Sequence, residues 1–289
     1  MDRMGIPSYF SHIVRRHRSI IKKYDKTKIV INNLYLDCNS LIYDSVRDIP
    51  EGKHSDFENA LIENVCKKLL HYIEVIRPSD RVFIAFDGVA PVAKLNQQRN
   101  RRYKSHFQSS VMEDLTGKGK SGWDTVAITP GTEFMSKLGA RIRDKFSVPS
   151  KHGLKVLIVS ASDQPGEGEH KIYSYIRSEP AHHQATSTVI YGLDADLIML
   201  TLNHLHVARK MYLFRETPHF IKSIDNTLDP NESYLMDIPE FGLMLSTELN
   251  GGVPPTEHQK NIRISDYILL CFFLGNDFMP HFPALNIRT

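Results

Sequence analysis

The stretch VLIVSASDQPGEGEHKIY, residues 156–173, decides the fold. Its first four residues, Val156 to Val159, form a short apolar run of mostly branched side chains, the pattern of a buried strand. After Gly168 the pattern turns helical. Between the two, Glu167 and Glu169 stand two positions apart, flanked by Gly166 and Gly168. One carboxylate in a first helical turn is favoured by the partial positive charge of the free N–H groups, by a few tenths to about 1 kcal/mol. Helix capping remains the alternative reading of the pair taken alone. The glycines permit a sharp turn, so that Glu167 outside the helix and Glu169 inside it can point the same way.

Working outward, three more apolar runs have the same character: Leu34 to Leu36, Val82 to Phe86 and Thr188 to Leu193. Helical patterns separate them. One follows Gly5 and continues toward Lys23, one runs from Phe57 to Ile76, one follows Pro91 and one follows Gly168. Strands alternating with helices predict an α/β fold with a mainly parallel sheet covered on both faces. Residues 108–127 and 217–262 are polar and rich in Gly, Pro and Asn, which predicts long loops or insertions. A last helix is expected over Ser265 to Leu274, closed by Gly275 as a C-cap.

A chain of 289 residues with 41% hydrophobic content can bury a full core, as one large domain or two ordinary ones. Its net charge of +3, from 36 basic and 33 acidic residues, is too mild to announce a nucleic-acid partner by itself. Cys38, Cys66 and Cys271 lie far apart without a CxxC pair, which argues against a cysteine zinc site and a disulfide framework and fits a reducing, intracellular setting. No apolar run reaches membrane length, so no membrane partner is expected.

The acidic residues fall at the ends of the predicted strands. Asp37 follows the first, Asp87 the second, Glu167 and Glu169 the third, and Asp194 and Asp196 the fourth, while Asp277 follows the last helix. Any one of these serves equally well as a turn residue or N-cap. In an open parallel sheet, however, ligands bind outside the carboxyl ends of the strands, so the six converge on one edge. Carboxylates about 4 Å apart repel by roughly 4 kcal/mol per pair at an effective dielectric near 20. A cation must offset that. Oxygen donors with no dedicated His or Cys cage point to Mg²⁺ or Mn²⁺, and two such ions form a common device for phosphodiester hydrolysis. Beyond Asp87, Lys94, Gln98, Arg101 and Arg102 share one helical face, suited to gripping a phosphate, although a solvated charged face is the plainer reading of such a run.

Seven motifs together resemble the XRN family of 5′ to 3′ exoribonucleases over nearly the whole chain: MGIPSYF (4–10), NNLYLDCNSLIY (32–43), FDGVAPVAKLNQQRNRR (86–102), ITPGTEFM (128–135), PGEGEHKI (165–172), YGLDADLIML (191–200) and GNDFMPHFPAL (275–285). The resemblance implies a PIN-like fold related to the flap endonucleases, across residues 1–289 as one nuclease domain. It implies that Asp37, Asp87, Glu167, Glu169, Asp194, Asp196 and Asp277 bind metal. It implies that Lys94, Gln98, Arg101 and Arg102 recognise the 5′-monophosphate of single-stranded RNA, from which mononucleotides are removed in RNA decay. A cytoplasmic rather than nuclear setting is expected. Tyr43 stands where the family usually has a His that stacks on the first base, and the ring face can still stack. The family's second conserved region is expected to be absent. The alternatives are a flap-type endonuclease, an RNA-binding module with weak activity, and a transferase using Asp194 and Asp196 as an isolated DxD motif. The last leaves five acids unexplained.

Overall fold

The computed structural model describes residues 6, 9–49, 56–116, 123–215, 228–229, 231–276 and 279–285, without some side chains between 97 and 116. The strands are β1 (Ile21–Lys23), β2 (Asn33–Asp37), β3 (Arg81–Ala85), β4 (Val156–Ser160), β5 (Ser187–Tyr191), β6 (Lys210–Phe214) and β7 (Tyr234–Asp237). They form one sheet in the order β1-β7-β6-β5-β2-β3-β4, parallel from β6 to β4, with β7 and β1 added antiparallel at the far edge. The helices are α1 (Tyr9–Arg16), α2 (Asn39–Asp48), α3 (Phe57–Ile76), α4 (Val92–Thr116), α5 (Glu133–Lys145), α6 (Gly168–Ser178), α7 (Pro180–Ala185), α8 (Asp196–Asn203), α9 (Ile238–Leu249) and α10 (Glu257–Phe272).

The central strands are apolar on both faces because both are covered. In β2, Leu34 and Leu36 join a core with α2, α3 and α5, while Tyr35 between them points to the opposite core, with α1, α6, α8, α9 and α10. In β3, Val82 and Ile84 face the first core, and Phe83 and Ala85 the second. That period of two sets the strand register. From β2 the chain moves to β3 and β4 on one side, then crosses back to β5 and β6 on the other. The reversal leaves a crevice at the carboxyl ends of β2 and β5.

Four details differ from expectation. The helix after Gly5 stops at Arg16, and residues 21–23 form β1, because Ile21 pairs with Met236 and Lys23 with Tyr234 on β7. Residues 108–116, read as loop, continue α4. The stretch 217–262 holds β7, α9 and the start of α10. Its helices have strong starts: Asp237 caps α9 with Pro239 in the first turn, and Thr256 with Gln259 makes a capping box for α10. The last helix accordingly begins at Glu257 and ends at Phe272, with Gly275 at φ +92° just beyond it.

Candidate active site

Asp37 is the last residue of β2, Asp87 lies just past β3, Glu167 immediately precedes α6, Glu169 is in its first turn, and Asp194 follows β5. These five carboxylates wall a cavity of about 110 Å³ at the reversal point of the sheet, with Asn39, Ser40 and Leu193 completing it and Lys94 and Gln98 entering from α4. Strand ends and helix starts converge here because every parallel strand runs in the same direction.

Hydrogen bonds hold Asp87 and the strand ends in place. The Gly168 N–H donates to Asp87 Oδ1 at 2.7 Å, Asn39 Nδ2 donates to Asp87 Oδ2 at 2.6 Å, and the Asp87 N–H donates to Asn39 Oδ1 at 2.9 Å. Lys171 Nζ donates to the carbonyls of Phe86 at 2.7 Å and Ala161 at 2.9 Å, tying the ends of β3 and β4 together from α6. Gly166 adopts φ +95°, which makes the sharp turn before α6. At Gly168 a Cβ would sit 2.4 Å from Asp37 Oδ1, so only glycine lets the helix start this close. Glu167, at the N-cap position of α6, makes no capping hydrogen bond with its side chain. Its Oε1 instead pairs with Lys94 Nζ at 2.6 Å, on two buried residues. The capping reading therefore fails for Glu167.

Charge is concentrated and poorly compensated. Burial first, then the fields of Asp87, Glu169, Asp194 and Glu167, push the Asp37 carboxyl well above the usual range. Burial also raises Asp87, partly offset by the Gly168 N–H, and carries Glu169 up to about 8 against the pull of Lys94. Burial lowers the Lys171 ammonium to about 8. Asp37 Oδ1 and Glu167 Oε2 are buried without a hydrogen-bond partner. Orphaned carboxyl oxygens within a cluster of five carboxyl groups are what a hard divalent cation requires, so the cavity residues fit one.

Of the other expected residues, Asp196 opens α8 and its charge reaches Glu169, but it does not line the cavity. Tyr43 lies on α2 one turn beyond Asn39, 45% exposed and outside the cavity lining. Arg102 is on the exposed surface of α4. Asp277 and the side chain of Arg101 lie outside the described residues. Sequence reading passed over Asn39, Lys171, His170 and Arg215. His170 Nε2 approaches both Glu167 and Glu169 at 3.8 Å, and its spacing of three from Glu167 was a usable signal of a shared helix face. Arg215 donates to the Leu193 carbonyl and its guanidinium lies 4.2 Å over the Phe10 ring, which anchors the loop carrying Asp194 to α1; no local pattern announces it.

A family model described as "XRN 5'-3' exonuclease N-terminus" matches residues 4–217, and one described as "Xrn1 helical domain" matches residues 258–289. The chain is 33% identical over 346 residues to 5'-3' exoribonuclease 2 of Eremothecium gossypii, covering 99% of the chain and 36% of that protein. It is 34% identical over 311 residues to 5'-3' exoribonuclease 1 of Saccharomyces cerevisiae, covering 99% of the chain and 20% of that protein. The chain thus spans about a third or less of the length of these relatives. Among solved structures, the catalytic core of Rad2 in complex with DNA substrate superposes with a TM-score of 0.51 at 13% identity, covering 98% of the chain and 65% of that one. The likeness shows a shared PIN-like, flap-nuclease-like fold. No helix among the described residues is long and apolar enough to cross a membrane.

Proposed function

The chain belongs to the XRN 5′-3′ exonuclease family, and from that premise we propose that it carries the nuclease centre of a 5′ to 3′ exoribonuclease acting in RNA decay on single-stranded RNA with a 5′-monophosphate. The observation that carries this reading is the cavity in which Asp37, Asp87, Glu167, Glu169 and Asp194 face Lys94 and Gln98.

Those five carboxylates, together with Asp196 and Asp277, would hold two Mg²⁺ or Mn²⁺ ions. Bound there, the ions would supply Lewis acidity and charge neutralisation for phosphodiester hydrolysis. The protein's own groups do the positioning. Asn39 and the Gly168 N–H orient Asp87 through both of its oxygens. Lys94 balances Glu167 at the cavity wall and lends positive potential to an entering phosphate. Gln98, one turn further along α4, supplies an amide donor beside it, and Arg102 extends the cationic surface along the helix; the helical spacing assigns Arg101 to the same role. A terminal phosphate held by this face puts the next phosphodiester over the carboxylates, so each cleavage releases one nucleotide and regenerates the same end. Tyr43 offers its exposed ring to the terminal base.

The test is hydrolysis with Mg²⁺ of one RNA carrying a 5′-monophosphate, a 5′-triphosphate or a 5′-hydroxyl. Release of mononucleotides from the monophosphorylated RNA, with the other two resistant, is expected. Cleavage of circular RNA would replace this reading with a flap-type endonuclease.

A further inference from the structure

His170 is the neighbour that a carboxylate site for hard ions leaves unused. It lies in the first turn of α6, directly after Glu169 and three residues after Glu167, so one helical turn brings its ring beside Glu167. Its Nε2 is 3.8 Å from Glu167 Oε2 and 3.8 Å from Glu169 Oε1, and the three ligand atoms lie within 4.8 Å of one another. Glu167 Oε2 is the orphaned oxygen, on a residue only 5% exposed, whereas Lys94 occupies the other oxygen of the same carboxylate. A buried acceptor with no partner, a second carboxylate and an imidazole nitrogen therefore converge on one point.

From this convergence we propose that Glu167, Glu169 and His170 form a site for a borderline transition-metal ion, Zn²⁺ foremost, which competes with hard ions for the two glutamates. Zinc bonds of about 2.0–2.2 Å place tetrahedral ligands roughly 3.4 Å apart, so the observed spacings close by small side-chain rotations. Imidazole nitrogen suits Zn²⁺, whereas Mg²⁺ keeps to oxygen ligands and waters, so His170 discriminates between them. Nearly half of the side chain is exposed, which gives an ion a path in. The proposal rests on the reading of the glutamates as metal-facing and adds to it a nitrogen donor and a second class of ion. An ion held this way takes two carboxylates from the hard-ion set, so zinc acts against the magnesium-dependent reaction.

The experiment uses the whole chain and reads binding rather than turnover. Thermal melting is followed against Zn²⁺ and, separately, Mg²⁺ for the wild type, His170→Ala and His170→Gln, and Co²⁺ is titrated as a visible-absorption probe of nitrogen ligation. Loss of the imidazole should weaken Zn²⁺ binding by about tenfold or more and abolish the intense Co²⁺ bands. The Mg²⁺ response should stay within about twofold in both variants, which also shows that they fold. Zn²⁺ affinity equal in the wild type and both variants, or no Zn²⁺ binding by the wild type, overturns the proposal. If Mg²⁺ still stabilises the wild type in that case, only this inference falls. If neither ion shifts its melting, the metal reading of the cavity falls as well.

Discussion

Glu169→Gln should stabilise the ion-free protein at neutral pH and do much less in mild acid. Burial, the leading cause, carries the Glu169 carboxyl from 4.5 to about 8 in the folded chain. A carboxyl whose folded pKa is raised contributes stability that is fully present below its unfolded pKa. That stability is lost as pH climbs toward the folded value. At about 1.4 kcal/mol per pH unit, the loss is about 1.4 kcal/mol at pH near 5.5 and about 4 kcal/mol at pH near 7.5. Glutamine keeps the shape and cannot ionise, so it escapes this loss. The gain from the substitution should therefore differ by about 2.5 kcal/mol between the two pH values, and any constant effect of the amide cancels in that difference. At about 2 °C per kcal/mol for a chain of this size, the melting temperatures should part by roughly 5 °C more at the higher pH. The side chain is 16% exposed, so solvent screening erodes this little. Denaturant unfolding of wild type and variant in EDTA at both pH values reads the quantity directly. An equal stability change at both, or a variant less stable at the higher pH, would refute the buried-carboxylate account.

Asp194→Asn, Glu167→Gln and Asp87→Asn should each cut hydrolysis of 5′-monophosphorylated RNA by at least about a hundredfold while the folded circular dichroism spectrum persists; near-normal turnover in two of them removes the two-ion reading. Millimolar Mg²⁺ should raise the melting temperature, with about 2.7 kcal/mol added at a hundredfold excess over Kd for one site, and a melt indifferent to Mg²⁺ contradicts the gathering of the acids. Tyr43→Ala should slow degradation by the equivalent of about 1 to 3 kcal/mol on every RNA sequence while Tyr43→Phe keeps most activity; equal large losses would point to the hydroxyl rather than the ring.

The parallel core was legible because Leu34 to Leu36, Val82 to Phe86 and Val156 to Val159 are continuous apolar runs, as strands covered on both faces must be. The acids at their ends were legible for the same reason, since parallel strands deliver their carboxyl ends to one edge. What escaped was set by partners distant in sequence. Residues 21–23 become a strand only because β7 lies beside them, and three residues carry no periodicity of their own. The α9 and α10 starts were written in Asp237 and Thr256, but the surrounding Gly, Pro and Asn outweighed them. Lys94 shares a helical face with Gln98, yet its pairing with Glu167 depends on how α4 meets α6, which no spacing encodes.

The reversal of strand order between β2 and β5 also governs when the cavity comes into being during synthesis. Asn33 and Thr188 are neighbours across β2 and β5 although 155 residues separate them in the chain. Asp37 and Asp194 can meet only after that pairing, so contacts of long sequence separation must close before the wall is complete, a slow event in folding. At ribosomal speeds of about 5–20 residues per second, roughly 8 to 30 s pass between the emergence of the two strands. The topology therefore withholds the carboxylate cavity until five of the seven strands have left the ribosome.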